Sequence, residues 1–176
     1  MEKGLVHIYT GDGKGKTSSA FGLALRAWGR GFGICIAQFL KSQQTGEIIA
    51  FERMKERVHI IRCDKINKFT WQMTQQEKQC LCEEHDEMFI RIKQLLLTEK
   101  IDVLILDEVI GAINSGTFDL QKLVDFIQNK PEQLEVVLTG RNAPKKLVSM
   151  ADYVSEIVCI KHPFDKGICA RTGIEM

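Results

Sequence analysis

Short runs of aliphatic and β-branched residues alternate along the chain with stretches in which apolar positions recur every three or four residues. That alternation predicts an α/β fold, an open, mostly parallel sheet with flanking helices. The runs place strands at residues 5–9, 34–39, 58–62, 103–107, 134–139 and 154–160. Val103-Leu104-Ile105-Leu106 is apolar without alternation, as expected of a central strand covered on both faces. Between strands, residues 16–30 read as a helix with Phe21, Leu25 and Trp28 at helical spacing. Thr74-Gln75-Gln76-Glu77 has the form of a capping box and opens a helix running to Thr98, with Leu81, Met88, Ile92, Leu95 and Leu96 as its buried stripe. Residues 119–128 and 144–150 complete the helices, the second with Pro144 in its first turn. With no repeat, low-complexity tract or linker, residues 1–176 are expected to form a single domain.

Composition narrows the function classes. At 176 residues, 44% apolar and 27% charged, the chain suits a globular protein with a substantial core. Lys and Arg (24) nearly balance Asp and Glu (23), so bulk charge gives no support for a nucleic-acid or membrane partner. No apolar run approaches bilayer-spanning length, and Met1-Glu2-Lys3 leads directly into a strand, so the expected location is cytoplasmic. Of the six cysteines, Cys35, Cys63 and Cys159 sit in β-like runs, where a free thiol acts as a small buried hydrophobe. Cys80 and Cys82 lack the Cys-x-x-Cys spacing of zinc or redox sites, and Cys169 has no neighbour in sequence. Reduced thiols are expected throughout.

The chemistry begins at Thr10-Gly11-Asp12-Gly13-Lys14-Gly15-Lys16-Thr17, a glycine-rich turn between a strand and a helix. This is the layout of a phosphate-binding loop, in which backbone N–H groups surround an anion. Lys16 would reach the outer phosphates, Thr17 would offer its hydroxyl to Mg²⁺, and the following helix, with Ser18 in its first turn, would add its positive end. The spacing is a variant, because the glycine usually found five residues before Gly15 is Thr10, and Gly11 comes one residue later. The loop makes the fold P-loop NTPase-like (RecA-like) and the ligand a nucleoside triphosphate.

A second signal is Leu106-Asp107-Glu108, an apolar strand ending in acids that can hold Mg²⁺ directly or through water. Carboxyl ends of strands in such sheets line one crevice, so Asp107 and Glu108 are expected to meet Lys16 and Thr17. The alternative is an acidic strand end that caps the next element. Leu138-Thr139-Gly140-Arg141-Asn142 repeats the layout; Arg141 either touches the triphosphate or pairs with a surface acid. His162, beside Pro163, reads as structural when taken alone. Phe69 and Trp71 lie in a loop and, taken alone, read as core.

In order, these segments, with Gln38-Phe39-Leu40-Lys41, His162-Pro163-Phe164-Asp165-Lys166-Gly167 and Gly173-Ile174-Glu175, resemble the P-loop ATP:corrinoid adenosyltransferases across essentially the whole chain. The resemblance implies transfer of the 5′-deoxyadenosyl group of ATP to cobalt(I) of a corrinoid, with triphosphate leaving. It implies a loop of Gly11, Asp12, Gly13, Lys14, Gly15, Lys16, Thr17 and Ser18 on ATP, and Thr17, Asp107 and Glu108 near Mg²⁺. Lys16 and Glu108 are then the catalytic candidates, Arg141 a nucleotide contact, and Phe69 and Trp71 the corrin-facing pair. The family's electron donor is a reduced flavoprotein and its assembly a homodimer. Asp12 stands where the family often has Asn, placing a carboxylate near the phosphates that Lys14 can offset. A P-loop kinase or phosphohydrolase and a nucleotide-dependent corrinoid carrier are the competing functions.

Overall fold

A computed structural model of the chain describes residues 2–41, 44–54, 56–63, 68 and 70–174. The strands are β1 (Val6–Thr10), β2 (Ile34–Gln38), β3 (Val58–Arg62), β4 (Val103–Asp107), β5 (Glu135–Thr139) and β6 (Tyr153–Glu156). They form one six-stranded sheet in the order β3-β2-β4-β5-β1-β6, and each neighbouring pair is parallel. The helices are α1 (Lys16–Trp28), α2 (Gly46–Met54), α3 (Gln75–Thr98), α4 (Val109–Asn114), α5 (Leu120–Gln128) and α6 (Lys145–Val148).

Two-residue alternation along the strands feeds two separate cores. Ile34, Ile36, Val103, Ile105 and Val137 pack on α1 and α2, while Cys35, Ala37, Leu104, Leu106, Val136 and Leu138 pack on α3 to α6. This is why β4 reads as unbroken apolar sequence: both of its faces are covered.

The expected elements appear, with four corrections. The buried face of α1 is Ala20, Phe21, Ala24 and Ala27, so Phe21 is buried as expected while Leu25 is 48% exposed; the small residues let this helix lie close on the sheet. β6 was expected over 154–160 but ends at Glu156, because Ile157 turns onto the first loop, donating to Thr10 O at 2.8 Å and accepting from Gly13 N at 2.7 Å. Cys159 follows that turn and is exposed, unlike the buried Cys35 and Cys63. Helices α2 and α4 had no sequence signal. α2 buries only Ile48 and Phe51, and α4 follows β4 without a polar cap, so its apolar residues read as a continuing strand.

The capping box opens α3 as expected, with Glu77 N donating to Thr74 Oγ1 at 3.2 Å and Thr74 N to Glu77 Oε2 at 2.7 Å. Lys68, then the Thr74 groups, hold the Glu77 carboxyl down to about 2. The α3 stripe also contains His85, fully buried with Nε2 2.7 Å from Phe39 O and Nδ1 2.9 Å from Thr117 O. Burial pushes its pKa down, outweighing these two contacts. His85 thereby ties α3 to the residue just beyond β2 and to the turn after α4.

Candidate active site

The turn between β1 and α1 folds around its own lysine. Lys16 Nζ donates to Gly11 O at 2.6 Å and to Gly13 O at 2.9 Å, spanning the loop from inside. Gly15, at φ 124°, stands just before α1 in a conformation that L side chains rarely adopt. A Cβ on Gly13 would lie 2.8 Å from Ile157 O, so only glycine admits the segment after β6 at this point. No side chain caps the N-terminus of α1 and its first turn carries no acid, leaving the positive helix end facing the cavity. Burial, then Arg141, lowers the Lys16 pKa.

Asp107 is the electrostatic centre of the site. It is fully buried at the end of β4, and sheet register sets Gln38 of β2 opposite it. Its Oδ1 accepts from Thr17 Oγ1 at 2.8 Å and Thr139 Oγ1 at 2.7 Å. Its Oδ2 accepts from Gln38 Nε2 at 3.0 Å and Lys41 Nζ at 2.8 Å. The carboxylate's four lone-pair positions are thus all filled, with Lys41 as counter-ion. The expected meeting of Asp107 with Thr17 occurs although β5 lies between β4 and β1.

Glu108 occupies the left-handed region at φ 59°, ψ 18°, and precedes α4 without capping it by its side chain. Its N–H donates to Thr139 Oγ1 at 2.9 Å, and its carboxylate lines the same cavity as Lys16. The capping alternative for this acid therefore fails. Burial raises the Glu108 pKa; Lys41 opposes this and Asp107 adds to it. Folding thus disfavours the charged carboxylate, a cost present above the folded-state pKa and relieved as pH falls through it towards the ordinary value of 4.5. Glu108→Gln is expected to raise the Tm of the ligand-free protein at neutral pH, with the gain shrinking on acidification. Thermal unfolding across pH checks this, and a gain that grows at acid pH would contradict it.

A cavity of about 810 Å³ gathers most of the expected residues: Asp12, Gly13, Lys14, Gly15, Lys16, Thr17, Ser18, Glu108 and Arg141. Gly11 stands behind the loop against Ile157, and Asp107 lies beneath Thr17. Arg141 lines the cavity and also stands 3.7 Å from Asp12, the acid-pairing reading. Arg141 Nε is thus a cation beside Asp12, while Lys14 Nζ donates to Ile174 O at 3.2 Å. His162 also lines the cavity while its Nδ1 accepts from Phe164 N at 3.1 Å. Trp71, in a single helical turn at Thr70–Gln72, is 75% exposed, which overturns the core reading for it. Phe69 lies outside the described residues. Sequence reasoning missed Gln38, Lys41 and Thr139 as site residues; each stands at or just beyond the carboxyl end of a strand, the signal that selected Asp107.

The parallel sheet with a glycine-rich turn joining β1 to α1 is a P-loop NTPase-like fold. Over residues 2–176 the chain matches the ATP:corrinoid adenosyltransferase BtuR/CobO/CobP family, and it belongs to that family. It is 35% identical over 177 residues to the corrinoid adenosyltransferase of Pseudomonas aeruginosa, covering 99% of this chain and 84% of that protein. The corrinoid adenosyltransferase of Escherichia coli is 32% identical over 99% of this chain and 86% of its own length. That of Salmonella typhimurium is 30% identical over the same shares. The protein is therefore an enzyme, a transferase of the corrinoid adenosyltransferase family.

Proposed function

We propose that the protein transfers the 5′-deoxyadenosyl group of ATP to the cobalt(I) of a corrinoid and releases inorganic triphosphate, in adenosylcobalamin biosynthesis or salvage. The observation that carries this reading is the convergence of Lys14, Lys16, Lys41 and Arg141 on one cavity beside the glycine-rich loop. Cobalt(I) supplies an electron pair to the ribose C5′, the C5′–O bond breaks, and its electrons leave on the triphosphate. Negative charge builds on the departing group, where fixed cations and backbone N–H groups stabilise it. The nucleophile carries no proton, so no general base is needed. Asp107 fits this economy: with its lone pairs filled, it organises the site instead of accepting a proton.

The donors fit Mg²⁺, since the Thr17 hydroxyl and the Asp107 and Glu108 carboxylates are hard oxygen ligands. Among the described residues no group of three or more His, Cys, Asp or Glu forms a metal cage, which suits an ion that keeps phosphate and water ligands. Thr17 and Glu108 are the first choices to hold it, with Asp107 supporting. When bound, Mg²⁺ would neutralise charge on the triphosphate.

The exposed Trp71 is assigned, with Phe69, to the corrin face, where exclusion of the lower axial ligand would ease reduction of cobalt(II). Trp71→Ala is expected to keep ATP binding and a Tm within about 2 °C of the parent, as for other exposed positions. Its turnover from cobalt(II) should fall on the order of tenfold while turnover from pre-reduced cobalt(I) is retained. Parental turnover from cobalt(II) would remove the corrin role. The reading extends to a reduced flavoprotein as electron donor, a homodimer and a cytoplasmic location, all supported by the family resemblance.

Product analysis tests the whole. Incubation with MgATP, reductant and hydroxocobalamin is expected to yield triphosphate and a corrinoid with a cobalt–carbon bond. ADP and phosphate without that bond would establish the kinase or phosphohydrolase alternative, and binding without turnover the carrier.

A further inference from the structure

Lys41 stands in the place that the metal reading needs. Its Nζ is 2.8 Å from Thr17 Oγ1 and 2.8 Å from Asp107 Oδ2. It is also the largest opposing charge acting on Glu108. One ammonium therefore bonds two of the oxygen groups assigned to Mg²⁺ and acts electrostatically on the third. The Thr17 hydroxyl donates to Asp107 Oδ1 while accepting from Lys41, and Asp107 has no lone pair left for a further cation. A metal ligated by Asp107 must therefore displace one of its donors. Gln38 and Thr139 are fully buried on strands, and Thr17 sits in the first turn of α1. Lys41 lies beyond the end of β2 on a four-carbon stem, with its side chain 29% exposed and lining the cavity. It is the donor that can leave, and the triphosphate would offer it a new partner in the same cavity.

We propose that the Lys41 ammonium is the resident cation of the Thr17–Asp107–Glu108 group and excludes divalent cations until a nucleotide is present. This rests on the Mg²⁺ assignment above. Two cations cannot share these oxygens without repulsion at close range. Metal entry therefore requires Lys41 to swing away, which is unfavourable while the cavity holds no anion and favourable once phosphate oxygens line it. The metal is then accepted only with its nucleotide, and free Mg²⁺ does not occupy the loop unproductively. Lys41 is a positioning residue in this scheme, acting through the groups it occupies.

The test is Mn²⁺ binding to the full chain, followed by the electron paramagnetic resonance of free Mn²⁺, without nucleotide and then with ATP. In the parent, Mn²⁺ should be held weakly alone and strongly with ATP. Lys41→Met removes the charge and keeps the stem, and should bind Mn²⁺ without nucleotide at least about tenfold tighter, a change of about 1.4 kcal/mol. Lys41→Gln, which retains a hydrogen-bond donor without charge, should show the same rise, whereas Lys41→Arg should remain blocked. A gain in affinity is a result that a damaged fold would not produce. If the parent retains Mn²⁺ with ATP but both neutral variants match it without nucleotide, the role of Lys41 falls and the metal site stands. If the parent does not retain Mn²⁺ even with ATP beyond the affinity of ATP itself, the metal assignment falls and the inference with it.

Discussion

Lys16→Ala is expected to lower the proposed adenosyl transfer by about 10² or more while the protein stays folded. Lys16 is the cation at the centre of the loop, with Nζ bridging Gly11 O and Gly13 O. In the proposed reaction it turns to the triphosphate, whose charge grows as the C5′–O bond breaks. Removing one fixed donor to such developing charge costs about 10²–10³ in rate, and a full positive charge in a partly desolvated loop should cost at least that. Stability responds much less. The variant loses two donor contacts but also the burial penalty that depresses the Lys16 pKa, and these oppose one another. The expected signature is a kcat/KM lowered by about 10² or more, as for a lost oxyanion donor, beside a nearly parental Tm. Activity within about tenfold of the parent would mean that the loop does not grip the leaving group.

Asp107→Ala should act in the opposite proportion, striking the fold as well as the reaction. The carboxylate is fully buried and accepts from Thr17, Thr139, Gln38 and Lys41. Its loss leaves an ammonium without its counter-ion and three polar groups without their acceptor. Lys41, with its side chain 29% exposed, can turn to solvent, but leaving the buried Gln38 and Thr139 groups without their acceptor costs about 1–3 kcal/mol each, against a total stability of about 5–15 kcal/mol. Urea unfolding should show a large drop in midpoint at unchanged slope. Asp107→Asn should lose less. Its oxygen can face Lys41 Nζ and Gln38 Nε2, the donors on that side, while its amide faces the Thr17 and Thr139 hydroxyls, which can turn to accept. An alanine variant with the parental midpoint would show that this network does not hold the strand ends together.

Much of the fold was legible because its signals are local. β4 reveals its two covered faces by lacking alternation, and Thr74 with Glu77 closes a capping box that needs only four consecutive residues. The misses were positions whose environment comes from distant chain. Leu25 has the right spacing for a buried face, but the face that α1 buries is made by Phe21 and three alanines. Val158, Cys159 and Ile160 look like strand, yet the chain has already turned at Ile157 to close against Gly13. Helix α4 hides because Glu108 starts it through a left-handed residue with no polar cap.

The candidate site divides in the same way. Loop residues 10–17 and the acid pair at 107–108 declare themselves, because an anion cradle and a strand-end carboxylate require those residue types at short spacing. Lys41, Gln38 and Thr139 do not, since each meets the site through Asp107, 66, 69 and 32 residues away. The sequence alone determined the parallel α/β class, the glycine-rich loop and, through the ordered set of motifs, the family. Tertiary structure decided which charges meet: Arg141 beside Asp12, Lys41 against Asp107, and Trp71 out in solvent. The physical reason is that sheet order and register, set by packing along the whole chain, bring strand ends to within hydrogen-bonding distance. No local pattern encodes those distances.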